Sequence, residues 1–463
     1  MEKVDNRELF NKLREEYSQF IFKKYEIIED DEKYIIKYFY SLDNKFEFVN
    51  NVYINKRIDG FKFDIYSNEI KYLIINLGIV EAISYYKLTC SKIFKIDCCN
   101  LDDFQINWWK KLIYNGLGEL RYLNSFEDVS IDEFIDIIPN KEIVENSKIK
   151  DIEYNFEGNL IPVGGGKDSI VTLELLKQYN NIPFMFYHKR KASYDTCDVA
   201  GFKNEEIFQI DRKLDEKLFE LNATNNFLNG HVPISSMIAF ASYLGAMLLG
   251  KKYIVLSNEA SSNEGNIEGT NINHQYSKSY EFEQDFNNYV ERYFNNNIKY
   301  FSMLRPISEY QIAKLLSNYE KYLYIFRSCN RGIKENIWCL NCSKCLFVYL
   351  LLLPCIEKNK LDDIFGENLL NKTSLETDFR KLIGLEYEKP FECVGTKDEI
   401  IYAIKKYIKD NDISKDCMLL EKYKEYINEY IVESDYDTYF NNEHFLPEEY
   451  VSILKNQLEK NNG

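Results

Sequence analysis

Three consecutive glycines, Gly164-Gly165-Gly166, stand between the apolar run Leu160-Ile161-Pro162-Val163 and the polar triplet Lys167-Asp168-Ser169. A glycine loop has no Cβ atoms to hold its backbone away from an anion. It leads here into a helix start, whose free N–H groups and dipole favour negative charge. The chemistry served by that combination is phosphate binding, which makes the segment a nucleotide-site candidate. A Walker A loop needs Lys followed by Ser or Thr, whereas Lys167 is followed by Asp168; the dinucleotide fingerprint needs a third glycine where Ser169 stands. What remains is Gly-Gly-Gly-Lys-Asp-Ser, set against the plain alternative of a glycine-rich turn before an ordinary helix.

A second chemical spacing lies downstream. Cys329, Cys339, Cys342 and Cys345 follow the pattern C-x9-C-x2-C-x2-C. Each C-x2-C turn can direct two sulfurs to one centre, which suits a tetrahedral four-thiolate zinc site. An Fe–S cluster uses the same ligands, and reduced core cysteines are the third reading. Structural zinc is favoured, because a closed set of four thiolates leaves no position for a substrate. Of the other cysteines, Cys90, Cys98, Cys99, Cys197, Cys355 and Cys417 have no ligand spacing and read as small hydrophobes. Cys393 differs in its setting, Pro390-Phe391-Glu392-Cys393-Val394-Gly395. Two polar stretches, Ser257 to Glu264 and Asn273 to Ser279, either are solvated loops or line a pocket. In the pocket reading Glu259 and Glu264 suit Mg²⁺, a hard cation that prefers carboxylates, while Lys278 and Arg305 suit phosphates.

The elements that must position these groups fall into two styles. Phe20 to Phe22, Tyr34 to Tyr40 and Phe46 to Val49 are aromatic and β-branched runs broken by Asp-Asp and Asp-Asn, which predicts an antiparallel meander. Helical spacing follows from Tyr72 to Leu88 and from Asp102 to Tyr122, the latter containing Trp108, Trp109 and Gly116-Leu117-Gly118-Glu119. Residues 127 to 157 lack sustained periodicity, so a domain boundary is expected near 150. Beyond it, β and α signals alternate: strands at the glycine loop, Ile182 to His188, Glu206 to Ile210 and Tyr253 to Ser257, with a buried helix from Ser235 to Leu249. That alternation predicts an α/β parallel sheet, with ligands outside the carboxyl ends of its strands. Cys345 is expected to open a helix over Leu346–Leu353. Helices are expected again over Glu399–Ile408 and Leu419–Val432, before a polar tail.

With 463 residues, 45% of them hydrophobic, the chain is long enough for two or three domains with sizeable cores. Its formal net charge of −16 disfavours nucleic acid and anionic membrane as partners. The longest apolar run, Leu346 to Leu353, stops at Pro354, well short of the ~20 residues a membrane span takes. The start carries no signal-peptide pattern. A soluble cytoplasmic protein is therefore expected, and its eleven cysteines read as thiols or ligands rather than disulfides.

The glycine loop resembles the PP-loop of the ATP pyrophosphatase superfamily, which cleaves ATP to AMP and pyrophosphate, with Gly164 in place of that motif's first serine. Taken with Leu256-Ser257-Asn258-Glu259, Asn273-His274-Gln275-Tyr276-Ser277-Lys278-Ser279, Leu304-Arg305-Pro306 and Ser328-Cys329-Asn330-Arg331, it resembles the UDP-N-acetylmuramoyl-L-alanyl-L-glutamate epimerases of MurL type. The likeness continues through Trp338-Cys339, Cys342-Ser343-Lys344-Cys345 and Pro390 to Gly395, and upstream through Trp108-Trp109 and Gly116 to Glu119. It spans residues from about 20 to about 400. The resemblance implies an α/β PP-loop catalytic domain over 151–400 and a mixed α+β N-terminal domain over 1–150; beyond its reach, helical spacing predicts a helical C-terminal extension over 401–463. The resemblance also implies an ATP- and Mg²⁺-dependent isomerase that inverts the terminal L-glutamate of a UDP-muramoyl dipeptide. In that reading Gly164, Gly165, Gly166 and Ser169 bind the β,γ-phosphates, Lys167 neutralises them and Asp168 takes Mg²⁺. Cys393, His274 and His231 are acid/base candidates, and Glu259 serves as base or metal ligand. Two rivals are another PP-loop enzyme, such as a 7-cyano-7-deazaguanine synthase-like ligase, and a zinc-containing binding protein with a vestigial loop.

Overall fold

The strand-forming stretches join one ten-stranded sheet. The computed structural model describes residues 3–56, 58, 60–143, 155–186, 190–224, 226–267, 272–274, 276–294, 297–414 and 416–462. In chain order the strands are β1 Gln19–Glu29, β2 Lys33–Leu42, β3 Phe46–Asn55, β4 Ile93–Ile96, β5 Asp136–Pro139, β6 Asn159–Pro162, β7 Asn181–Phe186, β8 Phe208–Lys213, β9 Tyr253–Leu256 and β10 Lys299–Ser302. They lie in the order β10-β9-β6-β7-β8-β3-β2-β1-β4-β5. The expected meander is β1 to β3, paired antiparallel through tight turns at Asp30–Glu32 and Asp43–Lys45. The expected alternating segment is the parallel set around β6. The result is a mixed α/β fold on a mostly parallel sheet.

Alternate residues along each strand feed opposite faces, as a period of two requires. Leu160, Phe184, Ile254 and Tyr300 enter one core with the N-terminal meander. Their neighbours Ile161, Met185, Val255 and Phe301 enter a second core on the other face. The first face is covered by helices Asn68–Tyr86, Ile234–Leu249 and Tyr280–Phe294, and the second by Lys167–Leu175, Glu309–Ser317, Ser343–Leu352 and Lys397–Asp410. Asn68–Tyr86 is apolar nearly all round and is buried accordingly, with Ser67 capping its first turn.

β3 and β8 join the meander to the parallel set, pairing Asn51 to Ile54 with Ile210 to Lys213. Behind this junction Arg212 lies 2.6 Å from Glu81, which also accepts from Asn50 at 3.0 Å. Burial holds the Glu81 pKa above the ordinary carboxylate value, against the pull of Arg212.

Several boundaries differ from expectation. The strand expected to begin at Glu206 starts at Phe208, and β5 lies in the stretch read as aperiodic. Tyr187, His188 and the expected boundary near 150 fall outside the described residues. Leu419–Val432 is broken at Tyr423 and its helices end at Glu429. The helix expected to open at Cys345 starts at Ser343, with Cys342 as its cap. The polar tail carries the helix Glu448–Asn462, in which Tyr450 and Leu454 are buried. Tyr450 donates to Asn159 of β6 at 2.6 Å. That helix is polar on average, so its few apolar residues, gathered on one face, were easy to overlook.

Candidate active site

The carboxyl ends of β6, β7 and β9 open into a cleft of about 680 Å3. Its floor is the glycine loop, one wall is apolar (Phe184, Met185, Phe186, Ile238) and the opposite wall carries His274, Lys278 and Cys393. This is where open parallel sheets bind ligands.

The loop's conformation explains its composition. Gly165 has φ +76°, and a Cβ there would stand 2.6 Å from the backbone of both Ala192 and Ser193. A Cβ on Gly164 would meet nothing within 4 Å, so that position faces open space. Gly165 accepts from the Arg327 N–H at 2.9 Å, and Ser328 Oγ accepts from the Lys167 N–H at 3.3 Å. The loop is thereby fastened to the chain entering the cysteine cluster. Gly166 caps the helix Lys167–Leu175, Ser169 lines the cleft, and Asp168, with 29% of its side chain exposed, reaches the cleft.

Lys167 does otherwise. Its side chain is fully buried and paired with Asp168 and Glu309, so its ammonium lies beneath the loop rather than towards a phosphate. Two carboxylates in a dry setting outcompete the cleft for it. Burial opposes the charge on Lys167, and Asp168 and Glu309 more than restore it. Asp168 is held below its ordinary value despite burial, chiefly by Lys167 and Lys344, whereas burial raises Glu309.

Arg305 also lies away from the cleft. It is fully buried, donating to the Glu259 carbonyl at 2.8 Å, to Ser262 Oγ at 2.6 Å, to Glu283 at 2.9 Å and to the Lys278 carbonyl. It thus fixes the segments carrying Glu259 and Lys278. Glu259 is buried behind Asn258, and Glu264 pairs with Lys389 at 2.6 Å outside the cleft.

The cleft wall assembles residues far apart in sequence. His274 Nδ1 donates to Glu119, and the same imidazole lies close enough to Cys393 for each to shift the other's pKa. Lys278 donates to the Cys393 sulfur at 3.2 Å, and Lys344 donates to the Cys393 carbonyl. Cys393 stands just ahead of Thr396, which caps the helix Lys397–Asp410 in a box with Glu399. Burial raises the Cys393 pKa, yet Lys278, then His274 and Lys344, bring it down to about 6. Burial likewise works against a charged His274, but Cys393 and Glu119 raise its pKa to about 9. The His231 ring lies 4.1 Å from that of His274; burial and the neighbouring His274 charge keep it neutral. At neutral pH the wall therefore holds a thiolate beside an imidazolium and an ammonium.

Glu119, His231 and His274 bring potential ligand atoms within 4.8 Å of one another. His274 Nδ1 is itself hydrogen-bonded to Glu119. Glu119 was the functional residue missed in sequence. Its one local signal is an acid set in the apolar run Leu117-Gly118-Glu119-Leu120, and its partner His274 is 155 residues away.

Cys329, Cys339, Cys342 and Cys345 converge as expected, with their sulfurs all within 4.8 Å of one another. Cys329 accepts from the N–H groups of Gly332 at 3.2 Å and Cys339 at 3.4 Å, and Cys342 from that of Cys345 at 3.4 Å. Such N–H···S bonds stabilise thiolates, so the donor set fits a soft four-coordinate metal. The cluster also sets Ser328 under the loop and Lys344 in the cleft.

Comparison with known proteins agrees with this arrangement. The family profile for the MurL N-terminal domain matches residues 11–303, and that for the MurL C-terminal domain matches residues 325–437. A UDP-N-acetyl-alpha-D-muramoyl-L-alanyl-L-glutamate epimerase from Xanthomonas oryzae pv. oryzae is 32% identical over 327 residues, covering 69% of this chain and 70% of that protein. Proteins of the same name from Salinispora tropica and a Micromonospora strain are each 31% identical, covering 71% of this chain and 71% and 73% of their own lengths. No solved structure matches the chain significantly. No helix among the described residues is long and apolar enough to cross a membrane. With family profiles spanning both the glycine-loop segment and the cysteine cluster, and relatives more than 30% identical over two thirds of the chain, this chain belongs to the MurL family.

Proposed function

We propose that the protein inverts the terminal L-glutamate of UDP-N-acetylmuramoyl-L-alanyl-L-glutamate in peptidoglycan synthesis, with ATP as co-substrate. The observation that carries this reading is that one cleft is lined both by Gly164, Gly166 and Ser169 of the glycine loop and by His274, Lys278 and Cys393. The relatives' names supply the substrate.

The proposed chemistry answers a definite difficulty. A Cα–H beside an ionised carboxylate resists removal, because the carbanion would form next to negative charge. Adenylating the carboxylate replaces that charge with an electron-withdrawing acyl group and a leaving group. Deprotonation on one face, return of the proton on the other and hydrolysis would then give the D-centre, AMP and pyrophosphate. We assign the phosphates to the N–H groups of Gly164 to Gly166 and to Ser169, as in a PP-loop, and the adenine to the apolar wall. Lys278 and Lys344, rather than Lys167 and Arg305, supply positive charge at the cleft. Asp168, a hard carboxylate at the cleft mouth, would hold Mg²⁺, which screens phosphate charge when bound. The four cysteines would hold structural Zn²⁺. Cys393, His274 and His231 all line the cleft and are its acid/base candidates for the Cα proton. The ATP-binding segment corresponds to 151–400, flanked by 1–150 and the helical 401–463, and its nucleotide substrates point to the cytoplasm.

Purified protein incubated with ATP, Mg²⁺ and the L-Glu dipeptide nucleotide is expected to yield AMP, pyrophosphate and D-Glu, resolved by chiral chromatography. Turnover of ATP with folded, zinc-loaded protein but no D-Glu would refute the assignment. Incorporation of ammonia without inversion would favour a ligase of the 7-cyano-7-deazaguanine synthase kind.

A further inference from the structure

Cys393, His274 and Glu119 line the same cleft, the sulfur accepts from Lys278 at 3.2 Å, and the imidazole's Nδ1–H is fixed by the Glu119 carboxylate. This is the nucleophile–base–orienter arrangement, recognised by geometry and not by order in the sequence. The group also stands within the field of the phosphate loop, because Lys278 and Lys344 act on both Asp168 and Cys393. A thiolate held this way is a modest base, but it is a nucleophile throughout the neutral range. Facing a carboxyl activated as a mixed anhydride, its most accessible reaction is attack at the carbonyl carbon.

We propose that Cys393 is a covalent catalyst, taking the glutamyl group from the adenylate as a thioester before the Cα proton moves. The inference rests on the adenylating reading above. In the acyl-transfer step the sulfur lone pair forms a C–S bond to the carbonyl carbon. The carbonyl-to-phosphate C–O bond breaks, and its electrons leave with AMP; no proton is needed, since the thiol is already ionised. The thioester withdraws electrons from Cα more strongly than an oxygen ester, and the departure of AMP frees the loop. Inversion at Cα neither gains nor loses a proton overall, and the histidines beside Cys393 are available to carry it. Water then adds to the carbonyl and the C–S bond breaks. Sulfur departs as the thiolate beside Lys278, and the two water protons pass to solvent by way of His274. Glu119 is a positioning residue in this scheme.

The test is single-turnover rapid quench of the full-length protein with ATP, Mg²⁺ and the L-Glu dipeptide nucleotide, followed by mass spectrometry of the peptide containing Cys393. The expected result is a transient adduct of the dipeptide nucleotide less one water, lost on treatment with hydroxylamine, with AMP appearing before D-Glu. Cys393→Ala is expected to keep substrate-dependent ATP–pyrophosphate exchange, which also reports that it is folded, while D-Glu formation falls at least about a thousandfold. D-Glu formation with no adduct at any time, or retained by Cys393→Ala, overturns the thioester. Absence of exchange in the wild-type protein would instead overturn the adenylating reading beneath it.

Discussion

One sulfur in the cleft, that of Cys393, has its charge set by three other side chains. Buried thiols titrate high, as Cys90 and Cys197 do, both pushed up to about 12 by burial alone or nearly so. Cys393 goes the other way because Lys278, His274 and Lys344 favour the ionised form more than burial penalises it. Half-maximal alkylation by iodoacetamide is therefore expected near pH 6, with the thiolate present above that pH and lost below it. Glu119→Gln removes the charge that helps keep His274 protonated. His274 should then titrate lower, although Cys393 still favours its charged form, and the alkylation midpoint should move up. An unchanged midpoint would show that Glu119 does not act through His274. A Glu119 role in packing alone would change stability and leave that profile where it was.

At the level of the elements, the turn from β6 into the helix Lys167–Leu175 is where the proposed function places the phosphates. Two neighbouring glycines there behave oppositely. Gly165→Ala meets a positive φ and main-chain atoms 2.6 Å away, so it is expected to cost roughly 1–3 kcal/mol and to abolish nucleotide binding. Gly164→Ser has open space and is expected to leave the melting temperature and ATP–pyrophosphate exchange nearly unchanged. Thermal melts with the exchange assay check both.

The strand, the turn and the helix start of this element were legible in the sequence, because a glycine run after an apolar strand and before a polar helix opening marks such a turn. The cysteine cluster was readable for the same reason, because its ligands lie close together in sequence and their spacing is itself the geometry. The partners of Lys167 were not readable. Glu309 arrives from a helix 142 residues away, and only the fold shows that it captures the ammonium the resemblance had assigned to phosphate. Cys393 and His274 could be nominated by residue type, but their pairing and the contribution of Glu119 depend on packing between distant segments. The cap at Cys342 and the polar helix near the C-terminus were missed because neither depends on a strong apolar period.

On the scale of the whole molecule, both ends of the chain are built into the sheet's support. The helix Glu448–Asn462 lies beyond the residues matched by the family profiles, yet it packs beneath β6 through Tyr450 and Leu454. Leu454→Ala empties a fully buried position and is expected to cost about 2–5 kcal/mol, read as a lower midpoint in urea. An unchanged midpoint would mean that the helix is an ornament rather than a brace. The ladder between β3 and β8 has an equally broad effect. Residues 51–54 find their outer partner only at 210–213, so a growing chain must complete about 160 further residues before that strand is covered. Until then the N-terminal hairpins carry a raw β-edge, the feature through which unfinished chains adhere to one another. The same edge would be exposed on a fragment cut near residue 150, and the growing chain therefore depends on being shielded until β8 has emerged.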